Sequence, residues 1–177
     1  MFSNFKESFL NLKKTKSIAL SALFIAIDCV LRLLVIPIGP TINITLFFLP
    51  LSVCSMLLGP TAAALTGAAA DILTYFISPT GPYFPGFTLN ALICGLVYGI
   101  FLYKQKPTLP RIIIARVILM FVVDLVLTTL WLHFMYTAPI LETLSLRVVK
   151  CLILLPVEVI LLSVVLKSVY KFKDKWR

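Results

Sequence analysis

Residues 110–136 read PRIIIARVILMFVVDLVLTTLWLHFMY. At a helical rise of about 1.5 Å per residue this run is long enough to cross a hydrocarbon layer of about 30 Å, and Arg111, Arg116 and Asp124 are its only fully charged residues. Working outward, apolar runs of similar character are predicted near 17–37, 43–59, 60–78, 87–104 and 144–169. Pro37, Gly39-Pro40, Gly59-Pro60 and the Pro/Gly-rich stretch 79–86 punctuate them. Hydrophobic residues make up 60% of the 177 and charged residues 13%, against roughly 45–50% and 25% in a soluble domain. Lipid is therefore the expected solvent. Because every backbone amide inside a bilayer must be paired within the protein, and the alternation of a closed barrel is absent, the spans are read as helices. The expectation is an all-α integral membrane protein, a bundle of about six transmembrane helices. It forms a single membrane domain over 1–177, with 1–16 a cytoplasmic basic N-terminus and 170–177 a cytoplasmic basic tail. The N-terminal lysines before an apolar run resemble a signal peptide superficially. That run exceeds twenty residues, contains Asp28 and Arg32 and lacks a cleavage pattern, so it is read as a retained helix.

The basic residues test this topology. All but three of the 16 Lys and Arg fall at the N-terminus, in 104–116 or at the C-terminus, which share one side when the helix count is even. The connections 38–42, 79–86 and 137–143 contain neither Lys nor Arg. That partition places both termini on the cytoplasmic side of a cell membrane and accounts for the net charge of +9 without nucleic acid. Arg32, Arg147 and Lys150 remain unexplained. A cation in hydrocarbon costs a few kcal/mol, so such residues face a cavity or a partner.

The intramembrane acids are Asp28, Asp71, Asp124 and Glu158. Asp28 precedes Arg32 by four residues, the favourable order for a helical ion pair, and Arg32 keeps donors for a ligand after one such contact. Asp71 follows Gly67-Ala-Ala-Ala, where helices pack closely; it suits either a partner for Arg32 or a ligand acceptor. Asp124 and Glu158 suit interhelical hydrogen bonding and an unassigned role equally. In 79–87, three prolines, two glycines and Tyr83, Phe84 and Phe87 fit an interfacial aromatic belt or a lid that closes on a flat, anionic ligand. On the first helix Ser21, Ala22 and Ala26 form a small-residue face, suited to an internal contact or to docking another subunit.

No nucleotide-binding Gly-x-x-x-x-Gly-Lys-Ser/Thr, HExxH or GxSxG motif is present, and His133 is the single histidine. The four cysteines are scattered singly, as buried hydrophobes would be. Neither a cofactor nor a metal is expected. The chain is read as a binding subunit and not as an enzyme.

These residues resemble the substrate-binding S components of energy-coupling factor (ECF) vitamin transporters, within them the folate group. The resemblance spans nearly the whole chain. It is carried by Ala22-xxx-Ala26, Leu31-Arg32-Leu33, Leu58-Gly59-Pro60, Asp71-Ile72, Tyr83-Phe84-Pro85-Gly86-Phe87-Thr88, Gly95-Leu-Val-Tyr98-Gly99, Thr128-Thr129-Leu130-Trp131-Leu132 and Leu146-Arg147-Val-Val-Lys150. The Phe-Pro-Gly-Phe-Thr and Thr-Leu-Trp-Leu runs are its specific parts. Thr128-Thr129 departs from the Asn-Thr that precedes Leu-Trp in that group. The resemblance implies folate or a related vitamin in an outward-facing substrate cavity of the six-helix bundle, held by Arg32, Asp71, Tyr83, Phe84, Phe87, Thr88, Trp131, Arg147 and Lys150. It also implies docking through Ser21, Ala22 and Ala26 to a membrane coupling subunit served by two ATPases. Pantothenate or another vitamin in the same architecture is the alternative; a small membrane enzyme or a structural adaptor is more remote.

Overall fold

The structure, a computed structural model, describes residues 2–11, 14–38, 42–79, 81–136 and 139–175. Seven helices and one hairpin follow in order: α1 (Phe2–Asn11), α2 (Thr15–Leu33), β1 (Val35–Ile38), β2 (Ile42–Thr45), α3 (Phe48–Leu58), α4 (Pro60–Ile77), α5 (Pro85–Leu102), α6 (Leu109–Tyr136) and α7 (Ile140–Lys175). α5, α6 and the Thr143–Phe172 part of α7 are long and apolar enough to cross a membrane. α2 and α4, of 19 and 18 residues, match α5 in length but carry ionisable groups, Asp28 and Arg32 on one and Asp71 on the other.

Three departures from the sequence reading have local causes. The run 17–37, expected as one helix, stops at Leu33, and β1 pairs with β2 antiparallel, Val35 opposite Thr45 and Ile38 opposite Ile42. Pro37 cannot donate into a helix and disfavours helical geometry at Ile36, while the surrounding β-branched residues suit a strand. The backbone groups released by the helix are paired across the hairpin. The expected span 43–59 is consequently reduced to α3, whose 11 residues rise only about 16 Å. The third departure is α1, a helix where a basic tail was expected.

Helix α6 contains a π-helical segment, Met120–Leu127, between α-helical flanks. Wide turns loosen backbone carbonyls, and side chains take them up: the Thr128 hydroxyl donates to the Val123 carbonyl at 2.7 Å, and Arg147 donates to that of Asp124 at 3.3 Å.

The closest packing joins α4 to α5. A Cβ at Gly95 would stand 2.6 Å from the Ala63 backbone, one at Gly67 2.9 Å from the Ala91 carbonyl, and one at Gly99 would collide with Pro60. Small residues let the helix backbones touch, which is how helices associate where lipid removes the hydrophobic drive. Phe48, Met56, Tyr98, Leu102, Ile112, Leu119, Leu162 and Leu166 fill the core among α3, α5, α6 and α7. Leu152, Ile153, Ile160 and Val164 of α7 point outward, as expected of a face solvated by acyl chains.

Gly95→Leu should separate α4 from α5 and lower stability by about 1–3 kcal/mol, the usual cost of overpacking. Thermal unfolding in detergent would show a depressed midpoint, with exposed Leu89→Ala as control. Equal midpoints would contradict the close seam.

Candidate functional site

Two connected chambers lie inside the bundle. The inner one, about 230 Å³, is walled by α6 and α7 from Arg116 to Thr128 and from Arg147 to Glu158, with Phe47, Phe48, Asn90 and Tyr98 opposite. The outer one, about 510 Å³, is walled by Thr74, Tyr75, Tyr83, Phe84, Leu132, Met135 and Tyr136. Arg32, Phe47, Asp71 and Phe87 line both and form the neck. Ligand sites commonly enclose about 300–1,000 Å³, a range the two chambers reach together.

At the neck, Arg32 donates through Nε to Asp28 at 2.8 Å and through Nη1 to Asp71 at 3.0 Å, and its guanidinium stands 4.5 Å from the centre of the Phe47 ring. Asp71 is thus a partner of Arg32. Its other oxygen accepts the Thr88 hydroxyl at 2.9 Å. Thr88 has a single proton, spent on Asp71, so the 2.9 Å contact between Tyr83 and Thr88 has the tyrosine as donor. Arg32, Asp71, Thr88 and Tyr83 therefore form one chain from the neck to the 78–86 connection.

The inner chamber holds a second ion cluster. Arg116 donates through Nε to Glu158 at 2.5 Å and through Nη2 to Asp124 at 3.1 Å, with Phe48 beside its guanidinium. This corrects the sequence reading, which counted Arg116 among the cytoplasmic charges. Standing well inside α6, its side chain is 13% exposed and matched by two acids from within the bundle. Asp124 and Glu158, left open by the sequence, acquire this structural role. Arg147 and Lys150 differ. Both line the chamber, yet among the described residues neither has a carboxylate within ion-pair distance, and Arg147 donates instead to the Asp124 carbonyl.

The remaining expected residues divide by position. Tyr83 and Phe84 line the outer chamber, and Phe87 lines both. Tyr83 lies 5.1 Å from Tyr75, and Phe84 5.4 Å from Trp131, between ring centres. Trp131, expected to meet a ligand, lines neither chamber: it packs against Phe84, and a Cβ at Gly86 would reach within 2.7 Å of its ring. Its indole Nε1 donates to Asn90 Oδ1 at 3.1 Å, and Asn90 Nδ2 donates to Thr128 at 3.1 Å. Thr88 likewise acts through Asp71 and Tyr83 rather than from the cavity wall. On α2, Ala22 and Ala26 face outward, whereas Ser21 is buried and turned inward, so it drops out of any outer docking face.

Sequence reasoning missed Phe47, Tyr75, Asn90, Tyr98, Arg116 and Thr128 as parts of this site. Asn90 carried a usable signal, a lone amide inside the apolar run 85–102. Arg116 meets Glu158 across 42 residues, a pairing without any local signature.

Comparison with known proteins agrees with this architecture. Residues 16–171 match the family described as "ECF transporter, substrate-specific component". The folate transporter FolT of Clostridium novyi is 32% identical over 164 residues, covering 93% of each chain, and FolT of Leuconostoc mesenteroides is 27% identical over 151 residues, covering 82% of this chain and 81% of its own. A crystal structure of FolT bound with folic acid superposes with a TM-score of 0.81 at 34% identity, over 88% of this chain and 95% of that one. The S component for biotin from an ECF-type ABC transporter, at 24% identity and a TM-score of 0.66 over 91% and 94%, shares the fold. The chain belongs to the family of substrate-specific components of ECF transporters, as a membrane-embedded helical protein.

Proposed function

We propose that the protein binds folate in the two chambers and passes it to a transport complex made with a membrane coupling subunit and two ATPases. The observation that carries this reading is the pairing of an aromatic outer chamber with two cations, Arg147 and Lys150, that have no carboxylate within ion-pair distance among the described residues. A flat pterin ring stacks on Tyr83, Phe84 and Phe87, and the two carboxylates of folate supply the missing charge through charge-assisted hydrogen bonds. Arg32 and Asp71 offer donors and acceptors at the neck, while Thr88 and Trp131 hold the lid residues in place. Folic acid in the FolT structure and the names of the two relatives support the choice of ligand. Pantothenate is also an anion but has no ring to stack, so it leaves the outer chamber unexplained.

In this reading the chain is one membrane domain that crosses the bilayer six times, α3 and the hairpin together taking the place of a full second span. Both termini are cytoplasmic and the cavity opens outward beneath the 78–86 connection. Ala22 and Ala26 present the flat face that meets the coupling subunit. The protein carries out no chemistry of its own.

Purified protein titrated with folate, pantothenate and biotin should gain thermal stability with folate, by about 2.7 kcal/mol at a hundredfold excess over Kd. A shift with pantothenate and none with folate would reverse the assignment. Arg32→Ala should weaken folate binding at least about tenfold, or 1.4 kcal/mol; unchanged affinity in a folded variant removes Arg32 from the site. Ala22→Trp or Ala26→Trp should leave binding intact and abolish uptake in cells that supply the coupling module. Normal uptake would refute that docking face.

A further inference from the structure

Helix α1 has ten residues, fewer than an isolated helix needs to persist in water, so something must hold it. Its inner side is fixed at three points. The Ser8 hydroxyl donates to the Leu58 carbonyl at 2.8 Å and accepts the Ala62 amide at 3.2 Å, satisfying the end of α3 and the start of α4 together. Gly59, at φ +94°, makes room for it, since a Cβ there would lie 2.7 Å from the Ser8 oxygen. The Thr61 hydroxyl donates to the Phe5 carbonyl at 3.4 Å, and Glu7 meets Lys104 of the α5–α6 connection at 2.5 Å. α1 thus packs on the α3–α4 turn and the α5–α6 connection.

Two large apolar side chains of α1 face away from these contacts. Phe9 and Leu10 are 56% and 50% exposed. Exposed cations adjoin them: Lys14 and Lys16 follow in the chain, and Lys104 and Lys106 belong to the connection that Glu7 grips. Large apolar side chains beside a basic rim, at the level where helices leave the hydrocarbon, match an anionic lipid surface in both polarity and charge.

We infer that α1 is a membrane-surface helix, with Phe9 and Leu10 seated among acyl chains and the adjoining lysines on anionic headgroups. Lipid charge thereby bears on the α3–α4 turn through Ser8. The inference is independent of the ligand identity.

Hydrogen exchange of the amides of residues 5–11 tests it, on the full chain in nanodiscs of phosphatidylglycerol or phosphatidylcholine. Exchange should be about tenfold slower in phosphatidylglycerol at low salt, and the ratio should fall towards one at high salt. Phe9→Asp with Leu10→Asp should abolish the difference. Lys14→Gln with Lys16→Gln should shrink it while leaving exchange in phosphatidylcholine as in the wild type, which separates lost charge from an unfolded helix. Equal exchange in the two lipids would overturn the inference. Protection that appears only when the coupling subunit is added would also overturn it, and would assign the surface to a protein.

Discussion

A charge within hydrocarbon has to be answered by an opposite charge or by a wet cavity, and this requirement organises the interior. Arg116 is answered twice, by Glu158 and Asp124, and the three residues tie α6 to α7. Arg32 is answered by Asp28 on its own helix and by Asp71 on α4. Removing one member of such a set would strand the others at a cost of about 3–5 kcal/mol, so these clusters fix which helix faces meet. Arg147 and Lys150 are the two inner cations left to the cavity. Their energetic cost is tolerable because the chamber gives them room for water when empty and for an anion when filled.

The small-residue seam and the ion clusters act on different parts of the bundle. Gly67, Gly95 and Gly99 bring α4 and α5 into backbone contact, which fixes Asp71 and Thr88 at a distance their hydrogen bond can close. Tyr83 and the 78–86 connection are attached through that bond. Phe84 rests on Trp131, which Asn90 orients from α5. The 78–86 connection is thus tied to the neck by a hydrogen-bonded chain and to α6 by a ring contact.

Much of this was legible in the chain because the signals were local. The spacing of Asp28 and Arg32 read directly as a helical pair, and the small residues around Gly67 pointed to close packing beside Asp71. Residues 79–87 announced a stiff aromatic element. Features that depend on distant partners were not legible. Arg116 sits near a basic connection in sequence and so looked cytoplasmic, although its acids come from α7 and from deeper in α6. Trp131 looked like a ligand contact because its motif is distinctive, whereas its place beside Phe84 and outside both chambers depends on the packing of α5 against α6. The π-helical segment carries no signature in composition, and the hairpin after Leu33 was hidden because β-branched apolar residues serve a buried strand and a membrane helix equally.

The central claim is that Arg147 and Lys150 are held for the carboxylates of the ligand. Calorimetric titration of folate and of its dimethyl ester into the wild type and an Arg147→Gln/Lys150→Gln variant tests it most directly. Neutralising the side chains should weaken folate about a hundredfold, some 2.8 kcal/mol, and leave the ester nearly unaffected. Equal losses for the two compounds, or no loss for either, would contradict the account.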